Sequence, residues 1–390
     1  MPAPSSVPGA PGAAEPAIDP MSRALALAER GWGRVRPNPM VGAIVVREGR
    51  VVGEGWHERF GGDHAEIAAL RAAGEAARGA TLYVTLEPCA HHGKTPPCAD
   101  AIVEAGVARV VFGASDPHPR AAGGARALAA AGVAVEGPVR ASAVRSQNAA
   151  FFHRQAGEGP FVALKLALSL DGKLGLRGEE TAVTGPEARA AALDLRAGYD
   201  AILVGSTTAA VDDPELTARG AIRPRLPPIR AVADTEARLS PQARLLRADA
   251  GEAWVFVAED ADPARRGALS ATGARVVPLP RGSAGLEPSA LLDALEQAGA
   301  HAVLCEGGGR LAGSLLSADL VHRLHAFVAP RTFGDDGVPA FPGGAFAPGS
   351  PAGWQVSRIV SRGRDVEIAW DRTGGRAGGA SPGAAAERGG

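Results

Sequence analysis

Lysine is nearly absent from this chain: Lys94, Lys165 and Lys173 are the three in 390 residues, and arginine carries the rest of the positive charge. Neither sign dominates, since 41 basic side chains face 42 acidic ones for a net charge of -1. That balance excludes a protein built chiefly to coat nucleic acid or an anionic membrane, and it favours an enzyme acting on small molecules. Cysteine is also scarce. Cys89, Cys98 and Cys305 are too few, and odd in number, for a disulfide framework, so a reducing compartment, the cytoplasm, is expected. No apolar run approaches the roughly 18 residues that a spanning helix needs. The stretch MPAPSSVPGAPGAAEPAIDP has no basic start and its prolines break any apolar run, so it does not read as a secretory signal.

Small residues are abundant instead, with 52 glycines and 31 prolines. Part of that excess lies at the ends. Residues 1–20 and 373–390 hold too few large apolar side chains to offset the entropy of ordering, and both are expected to be disordered tails. At about 150 residues per domain the length predicts two or three domains. From residue 21 to 144, MSRALALAERG reads as a helix, and VGAIVV and VVGEGW as strands about a turn at Glu48-Gly49-Arg50. HAEIAALRAAGEAARG (helix), TLYVTLEPC (strand), CADAIVEAGV (helix) and RVVFGASDP (strand) follow. Residues 145–159 break the pattern and run into a Gly159-Pro160 close, which marks a linker; a second series of strands and helices fills 160–372. The expected fold class is α/β, with two different layered domains whose sheets are at least partly parallel.

The first chemical constellation is His64-Ala65-Glu66 opening a helix, Pro88-Cys89 ending a strand, and Cys98 opening the next helix. One imidazole and two thiolates suit zinc, and three protein ligands leave the fourth tetrahedral position to water, which is the arrangement of a catalytic site. His64 and Cys98 at helix starts would place thiolate and bound anion against favourable dipoles. Glu66, two residues from His64, is placed to shuttle protons without ligating the metal. The pattern H-x-E followed by P-C-x-x-C marks zinc nucleobase deaminases. Here, however, eight residues separate the cysteines. A structural zinc site with His91 or His92 as fourth ligand is the alternative, though it leaves Glu66 without a purpose. Otherwise His91, His92 and Lys94 line the pocket mouth.

The second constellation is the strand Ala302-Val303-Leu304-Cys305 running through Glu306 into Gly307-Gly308-Gly309 and then a helix. Such glycines let backbone N–H groups approach a pyrophosphate, but a Gly-rich turn alone is weak evidence. Lys165 and Asp171 are two charges in an otherwise apolar strand and turn, and are candidates for a buried pair.

The surrounding words settle a resemblance. Arg36-Pro37-Asn38-Pro39-Met40-Val41-Gly42, Gly53-Glu54-Gly55-Trp56-His57, HAE and TLEPCAHHGKTPPC resemble the deaminase domain of the bifunctional riboflavin-biosynthesis deaminase/reductase family, whose cysteine spacing is the same. LKLALSLDGK, Thr184-Gly185, LRAGYDAILVGSTTAAVDDPELTAR and EGGG resemble its reductase domain, whose fold is similar to dihydrofolate reductase. The resemblance implies one zinc ion on His64, Cys89 and Cys98, with Glu66 as catalytic residue and Asn38 and His57 in the substrate pocket. It implies NADPH near Ala167, Thr208, Asp212 and Gly308, and substrate near Arg196, Leu216, Arg219 and Glu306. The implied partners are small phosphorylated pyrimidines, with no nucleic acid and no membrane, and room is left for a homo-oligomer. Two departures stand out: Ala182 replaces an aromatic Trp common before the Ile-Thr-Gly motif, and Glu180 replaces a small polar residue. A nucleoside or tRNA-type zinc deaminase with a non-catalytic accessory domain is the competing enzyme, and a zinc-stabilised interaction module the non-enzymatic one.

Overall fold

The computed structural model describes residues 19–91, 97–119, 121–247, 251–341 and 353–373. The chain divides into two compact units. Among the described residues, one comprises those up to Arg30, Val41–His57 and those within Asp63–Val144; the other comprises Gly31–Met40, Glu58–Gly62 and those from Arg145 onward. Among the described residues no helix is long and apolar enough to cross a membrane.

The first unit contains α1 (Pro20–Ala28), β1 (Gly42–Arg47), β2 (Arg50–Trp56), α2 (Ala65–Ala73), β3 (Thr81–Leu86), α3 (Cys98–Glu104), β4 (Arg109–Ala114), α4 (Gly124–Ala130) and β5 (Ala134–Glu136). Its sheet runs β2-β1-β3-β4-β5, antiparallel where β1 meets β2 and β3, parallel from β3 to β5. Side chains alternate across a strand, so β1 feeds two cores. Ala43 and Val45 pack on one side with Ala65 and Ala69 of α2, Ile102 of α3 and Leu128 of α4; Ile44 faces the other side with Met21, Ala24 and Leu27 of α1. Glycine is required where α2 lies on β2: a Cβ on Gly55 would come within 2.5 Å of the Ala65 carbonyl oxygen. This contact sets the height of α2, and with it His64 and Glu66 at its start.

The expected front tail is two residues too long. Asp19 caps α1, its carboxylate accepting the N–H groups of Met21 and Ser22 at 3.3 Å, and Pro20 fills the first helical position, where its missing N–H costs nothing. Residues 1–18 and 374–390 lie outside the described residues; Thr373, assigned to the rear tail, donates its N–H to Gly353.

The chain continues through α5 (Ala141–Gln147) into α6 (Ala149–Ala156), so the segment read as a linker is largely helical and belongs with the second unit. Its apolar rings explain this: Phe151 and Phe152 meet edge-to-face, and Arg145 lies over the Phe152 ring. Then come β6 (Phe161–Ser169), β7 (Lys173–Leu176), α7 (Pro186–Leu195), β8 (Ala201–Gly205), α8 (Ser206–Asp212), β9 (Ile229–Ala233), β10 (Ala253–Ala258), α9 (Pro263–Ser270) and β11 (Arg275–Leu279). The rest is β12 (Arg281–Gly282), β13 (Gly285–Leu286), α10 (Pro288–Gln297), β14 (Ala302–Cys305), α11 (Gly309–Ser317), β15 (Arg323–Ala329), β16 (Gly337–Pro339), β17 (Trp354–Arg362) and β18 (Asp365–Arg372). A nine-stranded sheet runs β11-β10-β9-β8-β14-β6-β15-β18-β17, parallel except at its β18 neighbours. Its central strands are buried on both faces, and β10 and β14 are buried at every position, as parallel strands under helices require. β14 enters between β6 and β8, and the crevice outside the carboxyl ends of such strands is where α/β sheets bind ligands.

The β17–β18 hairpin was missed in the sequence. Its turn glycine, Gly363, at φ 62°, and the alternating burial of β18 are the signals that mark it. On β18, Glu367 is 2% exposed. Burial would raise its carboxyl, but the His325 ring at 3.7 Å and the Arg362 guanidinium at 2.5 and 2.8 Å outweigh burial and hold it down to about 2. A carboxyl depressed from 4.5 stabilises the fold above that pH and loses its contribution as the pH falls toward 2. The stability gap between the unaltered chain and Glu367→Gln, on the order of 3 kcal/mol at neutral pH, is therefore expected to shrink steadily in urea titrations from pH 5 to pH 2. A gap that does not change with pH would refute this assignment.

Candidate functional site: a zinc-type centre and a glycine-lined crevice

In the first unit three donors converge. His64 is the N-cap of α2 in extended conformation, Cys98 is the first residue of α3, and Cys89 sits in the turn after β3. Their ligand atoms all lie within 4.8 Å of one another. His64 Nδ1 is 3.2 Å from Cys98 Sγ and 3.6 Å from Cys89 Sγ. Tetrahedral zinc with Zn–S of about 2.3 Å and Zn–N of about 2.0 Å sets N and S ligands about 3.5 Å apart, so the donor set and its spacing fit the ion. The residue expected as an alternative fourth ligand, His91, stands outside this cluster; His92 and Lys94 lie outside the described residues.

The electrostatics of the cluster agree. Hydrogen bonding from Cys98, whose backbone N–H also reaches the sulfur at 3.4 Å, outweighs burial and draws the Cys89 thiol down to about 4. Cys98 is pushed up in turn, by its hydrogen bond to Cys89, by burial and by the negative charges of Glu66 and Cys89 beside it. Hydrogen bonding to Cys89 raises His64 to about 9 against the effect of burial. A lowered thiol beside an imidazole suits a cation, whose binding needs deprotonated ligands.

Glu66 is 4% exposed, and burial raises its carboxyl to about 7 against the pull of His64. His57 also reaches the centre: its ring meets that of His64 edge-on at 5.8 Å, Nδ1–H donates to the Asp63 carbonyl at 2.8 Å, and burial lowers its pKa, which favours neutral imidazole. Asn38 lies on the Gly31–Met40 segment, which groups with the second unit, with its N–H on the Val35 carbonyl.

In the second unit the crevice forms at the carboxyl ends of β6, β8 and β14. Gly307 and Gly308 take φ of 122° and 77°, where a side chain is strained, and a Cβ on Gly308 would stand 3.4 Å from Thr208 Oγ1. The Gly205 N–H donates to the Gly307 carbonyl at 3.3 Å, so the starts of α8 and α11 lie side by side. This bare backbone at two helix starts fits a dinucleotide phosphate. Beside it, Arg196 grips Glu306 with two parallel bonds, Nε to Oε1 at 2.6 Å and Nη2 to Oε2 at 2.9 Å, while Nη1 donates to the Thr217 carbonyl at 3.0 Å. Both side chains are less than 10% exposed. Burial lowers the Lys165 ammonium pKa, opposed by Glu306 and Asp212. Asp212 is raised by burial and by Glu180, so that departure sits electrostatically next to the crevice. Ala182, the other, is exposed and offers its carbonyl to Arg331. Ala167 lies on β6 opposite Phe327, two residues from Lys165 and on the same face. Arg219 is exposed and bonded to Glu215 and Thr217 at 3.3 Å, with its charge reaching Glu306. Leu216 packs into the core at φ 53°, so what it offers the crevice is backbone.

One expected pair does not form. Asp171 is exposed, and its carboxylate is satisfied by Ser169 Oγ at 2.5 Å and the N–H groups of Gly334 and Phe333 at 2.8 and 3.2 Å, while Lys165 stays inside with Glu306 and Asp212. The turn after β6 brings its own donors to Asp171, which removes any need for the lysine. Cys305, at the end of β14, is fully buried and its thiol is pushed up to about 12, as befits an inert core residue.

Sequence families give these sites their class. Residues 15–114 match the cytidine and deoxycytidylate deaminase zinc-binding region and residues 160–367 the RibD C-terminal domain, so a zinc-binding deaminase domain is joined in one chain to a reductase domain. The riboflavin biosynthesis protein RibD of Escherichia coli is 41% identical over 338 residues, covering 83% of this chain and 90% of that protein; the Haemophilus influenzae RibD is 35% identical over 373 residues, covering 91% and 97%. The solved structure of Acinetobacter baumannii RibD superposes with a TM-score of 0.73 at 33% identity over 91% of this chain and 98% of that one. A Thermotoga maritima diaminohydroxyphosphoribosylaminopyrimidine deaminase/5-amino-6-(5-phosphoribosylamino)uracil reductase does so with a TM-score of 0.74 at 33% identity, with the same coverage. The chain belongs to the RibD family of bifunctional riboflavin biosynthesis enzymes.

The buried Arg196–Glu306 pair generates a prediction. Arg196→Ala leaves Glu306 buried without its fork and is expected to destabilise the chain by about 3 kcal/mol, whereas Arg219→Ala, at an exposed pair, is expected to cost less than about 1 kcal/mol. Equal losses in urea unfolding would show that burial of the first pair carries no energetic weight.

Proposed function

We propose that residues 21–144 deaminate 2,5-diamino-6-(5-phospho-ribosylamino)pyrimidin-4(3H)-one by hydrolysis, and that residues 160–372 then reduce the ribosyl group of 5-amino-6-(5-phosphoribosylamino)uracil to ribityl. The observation that carries the first step is the His64/Cys89/Cys98 cluster with the buried Glu66 carboxyl beside it. His64, Cys89 and Cys98 would hold one zinc ion per chain, which would supply a water acidified enough to react at neutral pH. Glu66, whose carboxyl is raised by burial to about 7, would take a proton from the attacking water and pass it to the exocyclic amine, which leaves as ammonia as the C–O bond forms at the amino-bearing carbon and the exocyclic C–N bond breaks. His57 and Asn38 orient the pyrimidine.

In the second step NADPH supplies the hydride. Thr208, Asp212, Ala167 and the Gly308 turn hold the dinucleotide, and Arg196, Arg219, Glu306 and the Leu216 backbone hold the phosphorylated sugar. The exposed Arg219 guanidinium suits the phosphate because it presents a rigid fork of donors, while Arg196, its own fork bound to Glu306, holds that carboxylate in place toward the sugar. The same chain thus acts on small phosphorylated pyrimidines, in the cytoplasm.

Metal analysis and ammonia release test the first step. Glu66→Gln is expected to retain about one zinc per chain yet lose at least about 100-fold in ammonia release, and full activity in that variant would overturn the mechanism. For the second step, the zinc-stripped chain given the deaminated intermediate is expected to consume NADPH, read as loss of its absorbance. No consumption by folded protein would mean that Glu180 and Ala182 mark an inactive crevice.

A further inference from the structure

We propose that Glu87 is a positioning residue for the zinc centre, one that aims Cys89 by clamping the turn carrying it to the loop before α4. The inference rests on the deaminase reading of that centre. Of the three ligands, His64 and Cys98 are oriented by the helices they open, whereas Cys89 belongs to neither helix nor strand. Something else must fix it.

Glu87 stands two residues before Cys89 and is 9% exposed. Its backbone N–H donates to the Ala114 carbonyl at 2.8 Å, and its carboxylate bridges to the loop beyond. Oε1 accepts the N–H groups of Gly123 and Ala125, both at 3.1 Å, and Oε2 accepts that of Asp116 at 3.4 Å. Gly123 is the N-cap of α4 and has no side chain of its own to cap it, so Glu87 supplies the cap from a distant segment. Among the described residues no ion pair is found for this carboxylate; backbone N–H dipoles at a helix start are what hold its charge.

The loop so held grips Cys89 from both sides. A Cβ on Gly124 would fall 1.8 Å from the Pro88 carbonyl oxygen, so the loop lies directly on the residue before Cys89. On the other side, the Ala90 N–H donates to the Ala121 carbonyl at 3.2 Å, and Ala121 packs with Cys89, Cys98 and Ile67. The chemistry also requires an acid at this position. All three partners are donors, and a carboxylate presents acceptors alone, whereas a glutamine must turn its NH2 toward one of them.

The test uses the full-length chain with Glu87→Gln, loaded with zinc or with cobalt(II), whose thiolate absorption bands report ligand geometry. The expected result is a zinc affinity about ten-fold weaker in chelator competition, shifted cobalt(II) bands, and a fall in kcat for ammonia release with KM little changed. NADPH consumption on the deaminated intermediate stays unchanged and shows that the chain is folded. Affinity and cobalt(II) bands identical to the unaltered chain would overturn the proposal. If Glu87→Gln does not fold, Ala125→Pro removes one of the accepted N–H groups in a first turn that tolerates proline. The same shifts, smaller, are expected there, and unchanged bands would again overturn it. Failure of the unaltered chain to bind either metal would sink the deaminase reading itself, a different outcome from equal binding by both chains.

Discussion

A helix begins with backbone N–H groups that have no partner inside the helix, and in this chain four such open starts carry the residues of the two sites. Helices α1 and α9 are closed by their own Asp19 and Asp262, and neither carries a site residue. Helices α2, α3, α8 and α11 begin without a capping side chain, as do α6 and α10, and the first four starts bear His64, Cys98, Thr208 and the Gly308 turn. Where a start must be silenced without taking up room, a carboxylate arrives from far along the chain. Glu87 does this for α4, and Asp365, 1% exposed, does it for α7 by accepting the Gly185 N–H at 2.6 Å.

Much of this could be read from the sequence, for a physical reason. Metal ligands are identified by side-chain type at short spacing, so His64, Glu66, Cys89 and Cys98 announce themselves before any fold is known. Strand and helix periods likewise marked most of the elements in both units. What could not be read are pairings between distant segments. Arg196 and Glu306 are 110 residues apart, Gly185 and Asp365 180 apart, Glu87 and Gly123 36 apart. Nothing periodic links such partners, and the expectation that Lys165 would choose the nearby Asp171 failed because sequence distance says nothing about which side of a turn a carboxylate faces.

Burial is used in opposite senses at the two centres. In the first unit it raises Glu66 toward neutrality, giving a carboxyl that can both take and release a proton, while the thiolate beside it keeps a demand for positive charge. In the second unit buried charges are paired before any ligand arrives: Arg196 is committed to Glu306, and Lys165 lies between Glu306 and Asp212. The first centre therefore suits a cation, and the second holds its buried charges already paired.

That difference also gives the near-zero net charge and the scarcity of lysine a structural reading. A rigid fork such as Arg196 can be held in a low-dielectric crevice by two parallel bonds, whereas an ammonium there must lose part of its affinity for a proton. Lys165 is the lysine kept in such a place, its pKa lowered by burial and supported by two carboxylates. An arginine at that position could not shed its proton, and its longer, planar head would compete with Arg196 for Glu306. Lys165 thus stands where burial lowers its pKa while Glu306 and Asp212 oppose that effect, a balance a guanidinium cannot strike because it does not give up its proton.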